Sequence, residues 1–132
     1  MKLIEAIAKM EGYGADPENI PTRHNNPGDI CAGQWANAHG AVPGAADPAS
    51  KDAHSSHFGE TSPSRYAVFK QPVDGWDALR TLLTEHYLGM TLASAISKYA
   101  PATENDTDEY IAAVCKWTGL SPLSTLTAEN IG

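Results

Sequence analysis

Glu11 is the residue whose type and position suggest chemistry most directly. It occupies the next position of an apolar helical stripe that consists of Leu3, Ile4, Ile7 and Ala8. Gly12 and Gly14 predict that the helix ends at Glu11, so its carboxyl would lie against the core and beside the negative end of the helix dipole. Both surroundings are expected to raise its pKa, as a general acid working near neutral pH requires. The alternative is a partly exposed glutamate at a frayed helix end.

Histidines offer a competing, metal-dependent chemistry. His54 and His57, with Asp52 and His39 nearby in sequence, have side chains that bind zinc. An H-x-x-H spacing in an irregular segment fixes no ligand geometry, however, and the sequence contains no helical H-E-x-x-H motif. We therefore expect no metal ion and no cofactor.

Two cysteines, Cys31 and Cys115, fit no C-x-x-C metal or redox pattern. They could form one disulfide between the first loop and the last long helix. The interpretation that we favour is two buried free thiols.

Composition limits the classes of function. A chain of 132 residues, 42% hydrophobic and 19% charged, is expected to form a single globular domain. Its formal charge of −7 and its scattered basic residues argue against a nucleic-acid partner. The sequence has no long apolar run, and its first segment is amphipathic, so we expect neither membrane insertion nor a signal peptide. We expect a monomer made in the cytoplasm, which would need another agent to reach an extracytoplasmic target.

Helical periodicity and capping residues predict the elements that must position these side chains. The predicted helices cover residues 3–11, 75–88, 91–100 and 106 or 107 to 119. Asp74, Thr91 and Asp106 are the predicted N-caps, and Thr127 is predicted to cap a further short helix.

The sixty or so residues between the first two helices are rich in Gly, Pro, Asn, Ser and His. Residues 29–32 and 66–69 are strand candidates that could pair as a small β-hairpin or sheet. Between them lies a long irregular excursion, about residues 34–64, which we expect to be mobile. The predicted fold class is α+β, mostly α.

Four segments of the chain carry recognisable motifs. They are AIAKMEGYG, TRHNNPGDI, YAVFKQPVDGWDALRTLL and YAPATENDTDEYIAAVCKWTG. Together they resemble the lysozyme-like superfamily, in particular the lysozyme-like or lytic-transglycosylase-like domains of phages and prophages. The second is similar to the Arg-x-Asn-Asn-Pro-Gly-Asn loop of those domains, and the third to their Phe-x-x-x-x-x-Gly-Trp-x-Ala-Leu segment. The resemblance implies one lysozyme-like catalytic domain over residues 1–132, with a small β-hairpin lobe.

The resemblance implies an activity on bacterial peptidoglycan. Glu11 falls where the superfamily has its catalytic acid, which protonates the glycosidic oxygen between N-acetylmuramic acid and N-acetylglucosamine. Asn25 and Asn26 fall on the loop that faces the cleft, where their amides would bind acetamido groups or, alternatively, satisfy loop backbone. Asp29 replaces the asparagine more usual in this motif and brings a second carboxylate near the cleft.

Other glycan contacts follow from the same resemblance. Tyr99, Asn105 and Tyr110 belong to the segment that lines the cleft opposite the acid in such folds. Trp35 could stack on a sugar ring, although an aromatic residue in a protein of this size is more often part of the core. Trp76 and Trp117 lie on predicted helix faces and are assigned to the core.

The reaction type remains open at the level of sequence. A second carboxylate, Asp29 or Glu60, would make the enzyme a lysozyme, inverting or retaining according to its distance from Glu11. A lytic transglycosylase needs no second carboxylate, because the muramic acid 6-hydroxyl attacks within the substrate. An N-acetylglucosaminidase would cut the other β-1,4 bond. A protein of another class, a non-catalytic peptidoglycan-binding module of a phage or secretion assembly, is the remaining alternative.

Overall fold

The protein is mostly α-helical in its computed structural model, which describes residues 1–45 and 64–132. The helices of these described residues are α1 (Leu3–Glu11), α2 (Ile20–Arg23), α3 (Gln34–Ala38), α4 (Pro72–His86), α5 (Leu92–Tyr99), α6 (Thr107–Thr118) and α7 (Ala128–Ile131). The prediction of a mainly α-helical chain is therefore confirmed.

The chain divides into two compact units. The helical unit comprises Met1–Met10 and Arg80–Gly132, and the loop unit comprises Glu11–Leu79. The helical unit thus contains most of α1, the end of α4, and α5 to α7. The loop unit contains Glu11, the two short helices α2 and α3, and the beginning of α4.

Apolar helix faces build the core of the helical unit. α5 packs against α6, and both helices bury one face. The buried apolar side chains of this unit include Leu3, Ile4, Ile7, Leu83, Leu92, Ile96, Tyr110, Val114, Leu126 and Ile131. The spacing of these residues along each helix is the periodicity from which the helices were predicted.

Local capping fixes the helix ends in the helical unit as predicted. Thr91 accepts a hydrogen bond from the Ser94 N–H at the start of α5, and Asp106 accepts one from the Glu109 N–H at the start of α6. Thr127 and Asn130 form a reciprocal capping box at α7. The segment before α7 also pairs with the α4–α5 connection, because Leu126 donates to the Met90 carbonyl at 2.8 Å and accepts from Gly89 at 2.9 Å.

The loop unit has isolated β-bridges in its described residues where a hairpin was predicted. The antiparallel bridges join Cys31 to Tyr66 and Ala41 to Phe69. The first of them connects the two strand candidates, but no ladder extends from it. Directly before this bridge, the Ile30 carbonyl still accepts from the Ala67 N–H at 2.8 Å, but the Ile30 N–H donates to the Asn26 Oδ1 and not to the facing segment.

Two local predictions for this unit were wrong. α4 begins at Pro72, a residue type favoured in the first turn of a helix, and Asp74 therefore lies inside that turn instead of capping it. Residues 34–38 of the predicted excursion form α3, in which Ala36 is buried. The middle of the predicted excursion, residues 46–63, lies outside the described residues.

Two further expectations concern the membrane and the thiols. None of the helices in residues 1–45 and 64–132 has the length and apolar character that crossing a bilayer requires. Both cysteines are free thiols, but Cys31 is exposed and Cys115 is half-buried, so the expectation that both are buried was wrong. Burial raises the pKa of the Cys115 thiol.

Candidate active site

Glu11 is the last residue of α1 and is half-buried. The chain turns directly after it, with Gly12 at a φ of 90° that favours glycine. The Asn19 side chain holds this turn, because its Nδ2 donates to the Gly12 carbonyl at 2.8 Å while its Oδ1 accepts from the Thr22 N–H at 3.1 Å. The Asn19 side chain therefore connects the end of α1 to the N-terminus of α2.

Asn25 and Asn26 follow α2, and both side chains bond to backbone. The Asn25 Nδ2 donates to the carbonyls of Phe69 and Lys70 at 3.0 and 3.2 Å. The Asn26 side chain is 0% exposed, and its Nδ2 donates to the carbonyls of Ile30 and Ala67, both at 3.0 Å. The Asn26 Oδ1 also accepts a hydrogen bond from the Ile30 N–H at 2.9 Å. All of these bonds go to backbone groups, so the Asn26 side chain satisfies the loop backbone, the second of the two roles considered for it.

Gly75 brings the two motifs of the loop unit into contact. A Cβ atom at this glycine would overlap the carbonyl oxygen of Asn25 and would lie 2.9 Å from the Pro27 side chain. The Gly-Trp segment of α4 therefore packs directly on the Asn-Asn-Pro-Gly loop. Trp76, the next residue, meets Tyr13 edge to face, with ring centroids 5.5 Å apart. The turn after Glu11, the asparagine loop and the Gly-Trp segment thus form one packed assembly.

Asp29 lies at the end of the asparagine loop in an unfavourable setting. Its backbone has a φ of 50°, in the left-handed region that side-chain-bearing residues rarely adopt. Its Oδ1 is buried and accepts no hydrogen bond from the described part of the chain. Burial raises the pKa of this carboxyl, and its electrostatic interactions with His24 and Arg65 only partly oppose the shift. A carboxyl in this setting binds its proton more tightly than an ordinary aspartate does.

His24 is a buried polar residue that the sequence analysis did not select. It is 0% exposed, and its Nδ1 lies 3.2 Å from the Ala67 carbonyl. Because a carbonyl only accepts, the proton of a neutral ring is assigned to Nδ1. The only signal in the sequence is its position directly before Asn25, which does not reveal burial.

Trp35 of α3 and His39, the residue that follows α3, form a face-to-face pair. Their ring centroids are 4.0 Å apart at an interplanar angle of 13°, and the His39 Nδ1 lies 2.7 Å from the Trp35 carbonyl. Both side chains are half-buried. The stacked His39 ring restricts the orientation of the Trp35 indole. This arrangement is compatible both with stacking on a sugar ring and with a place in the core.

The remaining predicted glycan contacts belong to the helical unit. Tyr110 is 2% exposed and forms part of its core, which leaves it no surface for a ligand. Tyr99 is half-buried, with its ring edge-on to Tyr87 at 6.0 Å, whereas Asn105 is exposed. Tyr99 and Asn105 stay predicted contacts, and Tyr110 is a structural residue in this protein.

His54, His57 and Asp52, which were weighed as zinc ligands in the alternative that we did not favour, and the candidate carboxylate Glu60 lie outside the described residues. Within the described ranges, no three His, Cys, Asp or Glu side chains are grouped as metal ligands would be. A surface depression of the helical unit is lined by Met1, Lys2, Glu5, Thr118, Leu120 and Asn130. It contains none of the predicted site residues.

Two tryptophans that were assigned to the core from the sequence are less deeply buried than core residues. Trp76 and Trp117 are both half-buried, and the Lys9 ammonium lies 4.6 Å from the centre of the Trp117 ring. Both therefore pack at the edge of the core of their own unit.

The chain matches no protein-family model, no curated protein and no solved structure. The relation to lysozyme-like enzymes therefore stays a prediction from the sequence motifs.

Proposed function

We propose that this protein cleaves the glycan strands of bacterial peptidoglycan at the β-1,4 bond between N-acetylmuramic acid and N-acetylglucosamine. The observation that carries the proposal is the packed assembly of the loop unit. It joins the turn after Glu11, the asparagine loop and the Gly-Trp segment, three stretches chosen from the sequence for their motifs. Motifs that were identified separately and then meet in space support a common site.

Glu11 is the proposed general acid. In its protonated form it gives its proton to the glycosidic oxygen, which takes the electron pair of the breaking bond as the sugar develops oxocarbenium character. Its half-buried position at the end of α1 supports this role, because partial burial and the helix C-terminus both favour a neutral carboxyl. The raised pKa of Glu11 remains a prediction.

Two of the predicted site residues lose their glycan role in this proposal. Asn26 and Tyr110 have no exposed surface with which to touch a sugar. Asn25 and Trp35 remain the proposed contacts, since both side chains lie in the loop unit with Glu11 and retain solvent-exposed surface. Amide groups suit the acetamido substituents of the substrate, and aromatic rings suit its apolar sugar faces.

The test is turnover of purified sacculi by the Glu11→Gln variant. Removing a general acid costs about 10²- to 10⁴-fold in rate, so we expect at least a 100-fold loss. The matched control is Glu5→Gln, an exposed glutamate on the same helix whose change keeps a hydrogen-bond acceptor for the Lys2 N–H. Unchanged turnover by Glu11→Gln would remove Glu11 from the mechanism. Binding without turnover by the wild-type protein would favour a non-catalytic peptidoglycan-binding module.

A further inference from the structure

Asn19 and Thr22 hold the glycine turn that follows Glu11. The Gly12 carbonyl accepts from the Asn19 Nδ2 at 2.8 Å, and the Gly14 N–H donates to the Thr22 Oγ1 at 2.9 Å. Glycine has the most flexible backbone of any residue, so a turn that contains two of them needs bonds from outside to keep one conformation.

Asn19 and Thr22 also bond to each other, which makes the arrangement a closed one. The Asn19 Oδ1 accepts from the Thr22 N–H at 3.1 Å, so one amide bonds to α2 through its oxygen and to the turn through its nitrogen. The approach to the turn is close, because a Cβ atom at Gly12 would lie 3.3 Å from the Asn19 Nδ2. We call the four residues Gly12, Gly14, Asn19 and Thr22 the turn clamp.

The residue between the two glycines has an anchor of its own. The Tyr13 ring meets Trp76 edge to face at 5.5 Å, and Trp76 directly follows Gly75, which packs on the Asn25 carbonyl. The three residues after Glu11 are therefore held by an amide, an aromatic ring and a hydroxyl. Support of this kind is what a reacting group needs, because small errors in its position lower the rate sharply.

We propose that Asn19 is a positioning residue that fixes the Glu11 carboxyl at the end of α1 through the turn clamp. The inference rests on the function proposed above. Glu11 directly precedes the bonded Gly12, so freedom of the turn would become freedom of the carboxyl. Without the clamp, the last turn of α1 would fray, as helix ends commonly do. A displacement of about 1 Å costs up to about 100-fold in rate, because proton transfer requires a precise geometry.

The experiment measures kcat and KM of Asn19→Ser on soluble peptidoglycan fragments. Serine keeps an oxygen that can cap α2, but its side chain is too short to reach the Gly12 carbonyl. We expect kcat to fall at least about tenfold while KM stays within about twofold. The matched control is Thr91→Ala, which loses a comparable cap bond in the helical unit and should keep its kcat.

A double-mutant cycle with Glu11→Gln separates positioning from general structural damage. A residue that acts through Glu11 has nothing left to position once the acid is gone. Asn19→Ser should therefore lower the residual rate of Glu11→Gln by less than about twofold. Equal losses in both backgrounds would make the role of Asn19 structural and overturn the inference.

The second half of the clamp provides an independent pair of variants, which decides the matter if Asn19→Ser does not fold. Thr22→Val keeps the shape and the backbone N–H but removes the acceptor of the Gly14 N–H, so its kcat should fall. Thr22→Ser keeps the hydroxyl and should keep most of the rate.

The outcomes distinguish this inference from the proposed function. If Glu11→Gln is inactive but Asn19→Ser and Thr22→Val both keep the wild-type kcat, the inference is wrong and the proposed function stands. If the wild type releases no fragments, or Glu11→Gln keeps the wild-type rate, the proposed function is wrong and the inference fails with it.

Discussion

The two units of this chain are stabilised in different ways. In the helical unit, apolar faces of α1, α5 and α6 are buried, and side chains of neighbouring residues cap the N-termini of α5, α6 and α7. In the loop unit, amide side chains replace the regular backbone ladders, with Asn19, Asn25 and Asn26 bonding to carbonyls and N–H groups of distant segments. Both non-glycine residues of the described chain that have left-handed φ values, Asn25 and Asp29, lie in the loop unit.

The comparison of the two units shows how to separate structural polar residues from ligand-binding ones in a candidate active site. A cluster of asparagines beside a possible catalytic acid suggests ligand binding, yet Asn26 is entirely occupied with the backbone. The residue with an unsatisfied buried oxygen, Asp29, is the more informative one. The hydrogen bonds of Asn26 explain its burial, whereas a buried polar atom without a partner in the described residues needs a separate explanation.

The largest effect on stability is expected from Gly75→Ala, which tests whether close packing holds the loop unit together. The added methyl group would overlap the backbone of Asn25, and a backbone atom cannot move aside as a flexible side chain can. We expect a loss of at least about 3 kcal/mol in the free energy of unfolding, measured by urea denaturation. Val73→Ala, on an exposed position of the same helix, should change it by less than about 0.5 kcal/mol. Equal stability of both variants would contradict the packing described.

Asn26→Ala is expected to have the next largest effect. It removes three hydrogen bonds and leaves the buried Ile30 N–H without its partner, whereas the Ile30 carbonyl keeps the Ala67 N–H and the Ala67 carbonyl keeps the His24 ring. The expected loss is about 2 to 4 kcal/mol in chemical denaturation, because one buried unsatisfied group costs about 1 to 3 kcal/mol and each further lost hydrogen bond about 1 kcal/mol. The exposed Asn37 provides the control, since Asn37→Ala should be nearly neutral. A nearly neutral Asn26→Ala would return this residue to the list of possible ligands.

A smaller effect is expected in the helical unit from Thr91→Ala. The hydroxyl of Thr91 caps α5 through the Ser94 N–H at 3.2 Å, and losing such a cap costs about 1 kcal/mol. Thr91→Ser keeps the hydroxyl and should keep most of the stability. Thermal unfolding of the two variants measures the difference. A loss as large as that of Asn26→Ala would mean that the two units do not differ in their sensitivity to polar substitutions.

The smallest effect is the pH dependence that Asp29 contributes to stability. Its folded-state pKa is raised above the ordinary aspartate value of 3.8, so the folded state binds this proton more tightly than the unfolded state does. The stability from this proton is present below pH 3.8 and is lost as the pH rises through the folded-state pKa. Asp29→Asn should therefore match wild type in acid and become the more stable protein above that range. Melting temperatures measured across this pH range test the sign, and a stabilising effect confined to acid would contradict it.

The sequence predicted the helical unit well because its signals are local. The caps at Thr91, Asp106 and Thr127 lie within a few residues of the groups they bond, and the apolar spacing within each helix is visible directly. The position of Glu11 at the end of α1 followed from the same kind of signal, a glycine turn after an apolar stripe.

The loop unit was harder to predict because its interactions are distant in sequence. Asn26 bonds to Ala67, 41 residues away, and no local pattern shows that its amide would be buried. His24 lies 43 residues from the same carbonyl that its ring contacts. The start of α4 was misplaced because an aspartate before a glycine resembles a cap, whereas proline opened the helix. The residue types of the loop unit indicated a candidate site. Only the folded structure shows which of its polar residues bond to the backbone and which could react.

Digestion of purified sacculi in H₂¹⁸O, with mass spectrometry of the released fragments, tests the central claim most directly. Wild type should release fragments with new reducing muramic acid ends that carry one ¹⁸O atom from water, and Glu11→Gln should release almost none. Anhydro-muramic ends without ¹⁸O would indicate transglycosylation, and reducing glucosamine ends would indicate cleavage of the other bond. Equal release by wild type and Glu11→Gln, or no release by wild type, would contradict glycan cleavage with Glu11 as its acid.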